Sequence, residues 1–147
     1  MKYLGIILDH KFQFQEHIKY AAERCAKLIH NLSKAAKLSW GIKHTGMTTI
    51  YKGAILPLLT YGAPVWIEAI NYEHNRQKHI RVQRLINIRM AKAYSTTSSK
   101  ELCMLTGMTP IIIKLQEVVR YNIKEKSRNR TFKLDYNLNT GRIRQRL

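Results

Sequence analysis

Between Phe14 and Ala35 the apolar residues Phe14, Ile18, Ala21, Cys25, Leu28, Leu32 and Ala35 recur at intervals of four, three, four, three, four and three, while Glu16, Lys19, Glu23, Lys27, Asn31 and Lys34 lie off that line. An α-helix brings positions three and four apart onto one side, so this spacing predicts a helix from Gln15 to Leu38 with a single apolar stripe. The stripe has to be covered. Other parts of the chain can cover it, giving a helical domain, or a partner helix can, giving a coiled-coil seam.

The rest of the chain supplies partners for a helical domain. In "SWGIKHTGMTTI", Gly41 is a stop and Thr45 a start, and Met47 to Leu59 reads as a second helix in which Pro57 removes an amide donor and forces a kink or an end. "TYGAPVW" follows as a bend, with Tyr61 and Trp66 large enough to form a hydrophobic centre on which the first and third helices pack. Asn71 is placed to cap a third helix from Tyr72 to about Tyr94. Ser98 and Glu101 have capping-box spacing at the start of a short fourth helix that Gly107 closes. Thr109 and Pro110 open a fifth, carrying Ile112, Leu115, Val119 and Ile123 to about Lys126.

At the N-terminus, "KYLGIILD" is rich in large and β-branched residues and reads as one short strand with no obvious partner in the chain. At the other end, residues 127–147 carry six basic residues against Asp135 and no sustained period, which predicts a flexible basic tail. The expected architecture is mostly α: about five helices in a bundle over 14–126, a strand and turn over 1–13, and a tail or linker over 127–147.

Charge narrows the function. Twenty-six Lys and Arg stand against nine Asp and Glu, a formal net charge of +17. So lopsided a balance points to an anionic partner, with nucleic acid first among the candidates. The Lys and Arg are dispersed along the helical segments, and the most informative pattern is on the third helix, where Lys78, Arg81, Arg84, Arg89 and Lys92 fall within an arc of roughly 140° and Val82, Ile86, Met90 and Ala93 form an adjoining apolar face. No acid occurs between Asn75 and Lys100, whereas a merely solvated helix mixes its signs. The six residues from Tyr3 to Leu8 are too short for a signal peptide, and Pro57, Gly62, Pro64 and Glu68 interrupt the apolar run from Ala54 to Ile70, so no membrane partner is expected. Cys25 and Cys103 lie far apart in apolar helical contexts and read as reduced residues of an intracellular protein.

Catalysis finds no support. The histidines, His10, His17, His30, His44, His74 and His79, lack metal-ligand spacing, and Asp9 and Asp135 have no acidic neighbour to share a metal ion with. No phosphate-binding loop or nucleophile motif is present. The residues describe a binding module, with no catalytic and no metal site.

Three stretches, "KYLGIILDHKFQFQEHI", "IYKGAILPLLTYGAPVW" and "IRVQRLINIRMAKAYSTTSSKELCMLTGMTPI", resemble in that order the region after the polymerase palm in reverse transcriptases of jockey-like non-LTR retrotransposons. The resemblance implies that Tyr3, Leu4 and Gly5 match a palm-closing strand. It also implies that Arg81, Gln83, Arg84 and Tyr94 match the basic helix of a thumb-like bundle holding an RNA/DNA hybrid. The paired aspartates of that polymerase motif are not in this chain and are expected upstream of Lys2. The expectation is therefore a fragment, non-catalytic alone, whose parent would use Mg, work in the nucleus and supply the missing palm and fingers. The alternative is a helical interaction protein that pairs its Phe14–Ala35 stripe with a partner helix.

Overall fold

The computed structural model describes residues 1–38 and 43–144, with side chains 35–38 and 131–144 left aside. Gly41, expected as a helix stop, and Arg146 of the basic tail lie outside the described residues, as do the side chains of Ala35, Lys133, Arg142 and Arg144. The chain is mostly helical, with a two-stranded antiparallel sheet at its start.

The expected lone strand folds back on itself. β1 (Lys2–Tyr3) pairs antiparallel with β2 (Ile6–Ile7), Lys2 opposite Ile7 and Tyr3 opposite Ile6. The two residues between them, Leu4 at φ 46° and Gly5 at φ 82°, both take left-handed backbone. Positive φ at both central positions is what a tight hairpin turn requires, because its twist then matches that of the strands. Leucine there costs roughly 1 kcal/mol, and the turn is braced from outside: the Tyr61 hydroxyl donates to the Leu4 carbonyl at 2.8 Å and its ring lies against Gly5. The sequence offered no partner for this strand because the partner lies inside the same eight residues.

α1 spans Gln15–Leu38, as the spacing predicts. Asp9 sets up its entry, its two carboxylate oxygens accepting from the Gln13 amide at 2.8 Å and the Gln15 amide at 3.3 Å. The buried face of α1 is Phe14, His17, Ile18, Cys25 and Ile29, not the strict stripe. Leu28 is 38% exposed and Ile29 replaces it. An unsupercoiled helix has 3.6 residues per turn, so a heptad line drifts off the contact surface within a few turns. Phe14, Ile18 and Cys25 are buried within the chain itself and are not available as a seam for a partner helix.

The second helix is three consecutive segments, two α-helical and one wider between them: α2 (His44–Ile50), a π-helical turn (Tyr51–Ile55) and α3 (Leu56–Thr60). Proline lacks a donor and crowds the carbonyl four residues back, which for Pro57 is Gly53. The wider turn immediately before it relieves that conflict, and the helix runs through to Thr60. Gly62, at φ 65°, then bends the chain into α4 (Ala63–Trp66) and a 3₁₀ turn (Ile67–Asn71), so the stretch read as a bend is itself helical, inclined 43° to the preceding segment. Among the described residues no single helix is long and apolar enough to cross a membrane. The bent segment instead buries Tyr51, Ile55, Leu59, Ala63 and Trp66 in the core.

α5 (Glu73–Ala91) begins one residue later than expected, with Tyr72 rather than Asn71 at the cap. α6 (Ser99–Thr106) has the full reciprocal capping box between Ser98 and Glu101 and ends at left-handed Gly107. α7 (Ile111–Arg144) starts with the Pro110 carbonyl accepting from the Lys114 amide, and it remains helical through Arg144 instead of ending near Lys126. Ile111, Leu115 and Val119 hold its first part in the core, whereas Ile123, given a core-side place by periodicity, is exposed. Beyond that the segment has no Gly or Pro before Gly141, and its good helix formers Lys124, Glu125, Lys126, Arg128 and Arg130 continue a helix already nucleated. α1 packs chiefly on α5 and α3, and α5 also carries α6 and α7.

Candidate nucleic-acid interface

α5 is the structural axis of the domain, and past Glu73 all of its charged residues are basic. Its inner side is more polar than the sequence suggests: Asn75, His79, Gln83 and Asn87, each four residues from the last, are all buried beside Val82, Ile86 and Met90. Most buried polar groups are hydrogen-bonded, and these side chains tie the domain together, although Asn75 Oδ1, His79 Nε2 and Asn87 Oδ1 have no hydrogen-bond partner among the described residues. Gln83 is the hub. Its amide nitrogen donates to the Tyr51 hydroxyl at 3.1 Å and the Thr109 carbonyl at 2.8 Å, and its oxygen accepts from the Ile111 amide at 2.9 Å. It thus fixes α5 to the π-helical turn and to the start of α7. Asn75 Nδ2 donates to the carbonyls of Ala69 at 3.0 Å and Gln13 at 3.3 Å, anchoring the beginnings of α5 and α1 to each other. Asn87 Nδ2 donates to Cys103 Sγ at 3.6 Å, reaching α6. The regular interval of four was the available signal for this row; composition alone hides it.

Trp66 is 2% exposed and lies between two histidine rings, His79 stacked at 5.4 Å and His17 tilted at 6.0 Å. Burial pulls both histidines below the ordinary imidazole range, so both are neutral at pH 7. The indole Nε1 donates to the Tyr61 carbonyl at 2.9 Å. Of the two aromatic residues expected at the hydrophobic centre, only Trp66 is there. Tyr61 is 53% exposed, because the turn at Gly62 sends it outward to the hairpin. Burial also raises the Cys25 thiol to about 11 and the Tyr51 phenol to about 12, so both stay protonated inside the core. Cys25 and Cys103 are free thiols.

The outer side of α5 carries the cations, though not all in equivalent settings. Arg81 is exposed, and Lys78 and Arg89 are partly buried along the same side. Arg84 is engaged internally: its guanidinium donates to Ser99 Oγ at 3.2 Å and to the Ser95 carbonyl, closing the loop between α5 and α6. Lys92 lies just past the last helical residue at φ 50°, where the Ala93 amide donates back to Ile88, so it departs from the helical arc while staying exposed. Arg89 donates to its own Leu85 carbonyl at 3.2 Å. The only ion pair among the described residues is Lys114 with Glu117 on α7, so the α5 cations form no ion pair with a carboxylate among those residues. Tyr3 and Leu4 lie at the far end of the hairpin, both exposed, with Gly5 under the Tyr61 ring. Among the described residues no three His, Cys, Asp or Glu side chains converge as metal ligands would.

Sequence comparison identifies the relatives of this basic, mostly helical chain. The chain is homologous to the polyproteins of non-LTR retrotransposons of the R1 and jockey types. It is 31% identical over 126 residues, 85% of its length, to a retrovirus-related Pol polyprotein from type-1 retrotransposable element R1 of Nasonia vitripennis. It is 27% identical over 84% of its length to a putative 115 kDa protein in the R1 element of Drosophila melanogaster, and 32% identical over 68% to the RNA-directed DNA polymerase from mobile element jockey of the same fly. It spans 32% of the Nasonia polyprotein and 12% and 11% of the two Drosophila proteins. No family model matches the chain. No solved structure matches it either.

Proposed function

We propose that this chain is a thumb-like part of a non-LTR retrotransposon RNA-directed DNA polymerase, holding the template/primer hybrid through phosphate contacts and performing no chemistry alone. The observation that carries the reading is the outer side of α5, where Lys78, Arg81 and Arg89, followed by Lys92, lie in a stretch with no acid from Asn75 to Lys100. Arg84 supports the surface from behind by fixing the α5–α6 loop. A polymerase has to hold any sequence, so these side chains position a backbone and do not read bases.

The hairpin has a separate role in this reading. Tyr3 and Leu4, 62% and 74% exposed, are the surface on which the rest of the polymerase, its palm and fingers, would rest. Magnesium would be held by that remainder, and the nucleus is the compartment such an element needs to reach. The heptad alternative is disfavoured by the burial of Phe14, Ile18 and Cys25 within the fold.

The test is fluorescence anisotropy of two labelled RNA/DNA hybrids of unrelated sequence titrated with the folded chain at several salt concentrations. Equal affinities that fall steeply with salt support the reading. A strong preference for one sequence, or no binding at low salt, contradicts it.

A further inference from the structure

α1 and α5 run in the same direction. Asn75 near the start of α5 is bonded to Gln13 just before α1, and further along Ala26, Lys27, His30 and Asn31 of α1 share one groove with Leu85 and Arg89 of α5. The groove has a volume of about 560 Å³. Its chemistry is divided: Ala26 and Leu85 are apolar, while Lys27, His30, Asn31 and Arg89 supply hydrogen-bond donors from both helices, and no carboxylate lines it. Turning 100° per residue, Leu85 and Arg89 stand on the same side of α5 as Lys78, so the groove continues the cationic face onto α1.

We propose that this α1–α5 groove seats the sugar–phosphate backbone of one nucleic-acid strand, with Lys27 and Arg89 pairing with phosphate from opposite walls. Asn31 and His30 donate to phosphate or sugar oxygens, and Ala26 and Leu85 meet the sugar. A backbone of alternating anionic and apolar units fits such a lining, and with no Phe, Tyr or Trp in it the groove favours backbone over stacked bases. The proposal rests on the nucleic-acid reading of α5 and adds α1 to it; none of Lys27, His30 and Asn31 was singled out by the charge pattern of the third helix.

The test measures hybrid binding across a salt series for the chain, for the double variant Lys27→Ala/His30→Ala, for Asn31→Asp, and for Lys100→Ala as a charge-matched control on α6. All four sites are exposed, so folding can be checked by circular dichroism. The double variant is expected to bind several-fold more weakly than the control and to lose about one unit of salt slope. Asn31→Asp, nearly isosteric, is expected to weaken binding by repulsion. If the unaltered chain binds and these variants match the control, the groove assignment is overturned while the α5 reading stands. If the folded chain binds no hybrid, both fall. Displacement of the hybrid by polyglutamate at equal charge concentration would overturn the nucleic-acid assignment of the groove.

Discussion

The imidazole of His79 lies parallel to the indole of Trp66, ring centroids 5.4 Å apart and 28° from coplanar, with His17 against the same indole at 6.0 Å. Burial lowers the pKa of both histidines in the fold, and for His79 the carbonyls of Asn75 and Leu59 oppose that only in part. The unfolded chain therefore binds more protons than the folded one below about pH 6.5. Stability is full above that pH and falls as pH drops toward the folded-state values, by up to about 1.4 kcal/mol per unit for each histidine. Denaturant melts at pH 7.5, 6 and 5 followed by Trp fluorescence should show this decline, and His79→Gln should flatten it.

Gln83 serves four partners with one side chain, the fourth being the Cys103 thiol, which donates to its oxygen at 3.9 Å. Gln83→Leu removes all four bonds and leaves the buried Ile111 amide without its acceptor, a loss of about 2–4 kcal/mol. Gln83→Glu keeps the acceptor but sets a buried carboxylate oxygen against the Thr109 carbonyl, so at pH 7 it should lose at least as much in chemical denaturation.

Gly62 combines φ 65° with a close neighbour: a Cβ there would stand 2.6 Å from Ile6 Cδ1. At Gly107, φ 66°, the same Cβ meets nothing within 4 Å. Gly107→Ala is expected to cost about 1 kcal/mol from backbone strain alone, and Gly62→Ala more. Ile6→Val removes the clashing methyl, so the double variant Ile6→Val/Gly62→Ala should be more stable than the sum of the single changes predicts.

Two neighbouring arginines on α5 should separate cleanly. Arg84→Ala releases the α5–α6 loop and is expected to lower stability by about 1 kcal/mol, whereas exposed Arg81→Ala stays within about 0.5 kcal/mol of the parent. Thermal melts of the two variants decide this.

Helix positions were well written in the chain wherever local chemistry decides them. α1 follows from its period, α6 from the Ser98–Glu101 pair, and its end from Gly107. What the sequence concealed depends on contacts between distant segments. The hairpin needs Tyr61 to brace a Leu4–Gly5 turn, and Ile29 replaces Leu28 because a straight helix does not keep a heptad line. The cationic face was legible as a pattern of residues, yet the internal role of Arg84 and the departure of Lys92 come from a loop and a helix end that periodicity extrapolates through. The groove was hidden for a related reason, since its walls are distant in sequence.

The most direct test of the central claim is the salt dependence of RNA/DNA hybrid affinity for the chain and for Arg81→Ala/Lys92→Ala. Loss of two phosphate contacts predicts a log–log slope shallower by about two units with native helicity retained. A folded variant with the parent's slope and affinity would contradict a phosphate-holding role for α5.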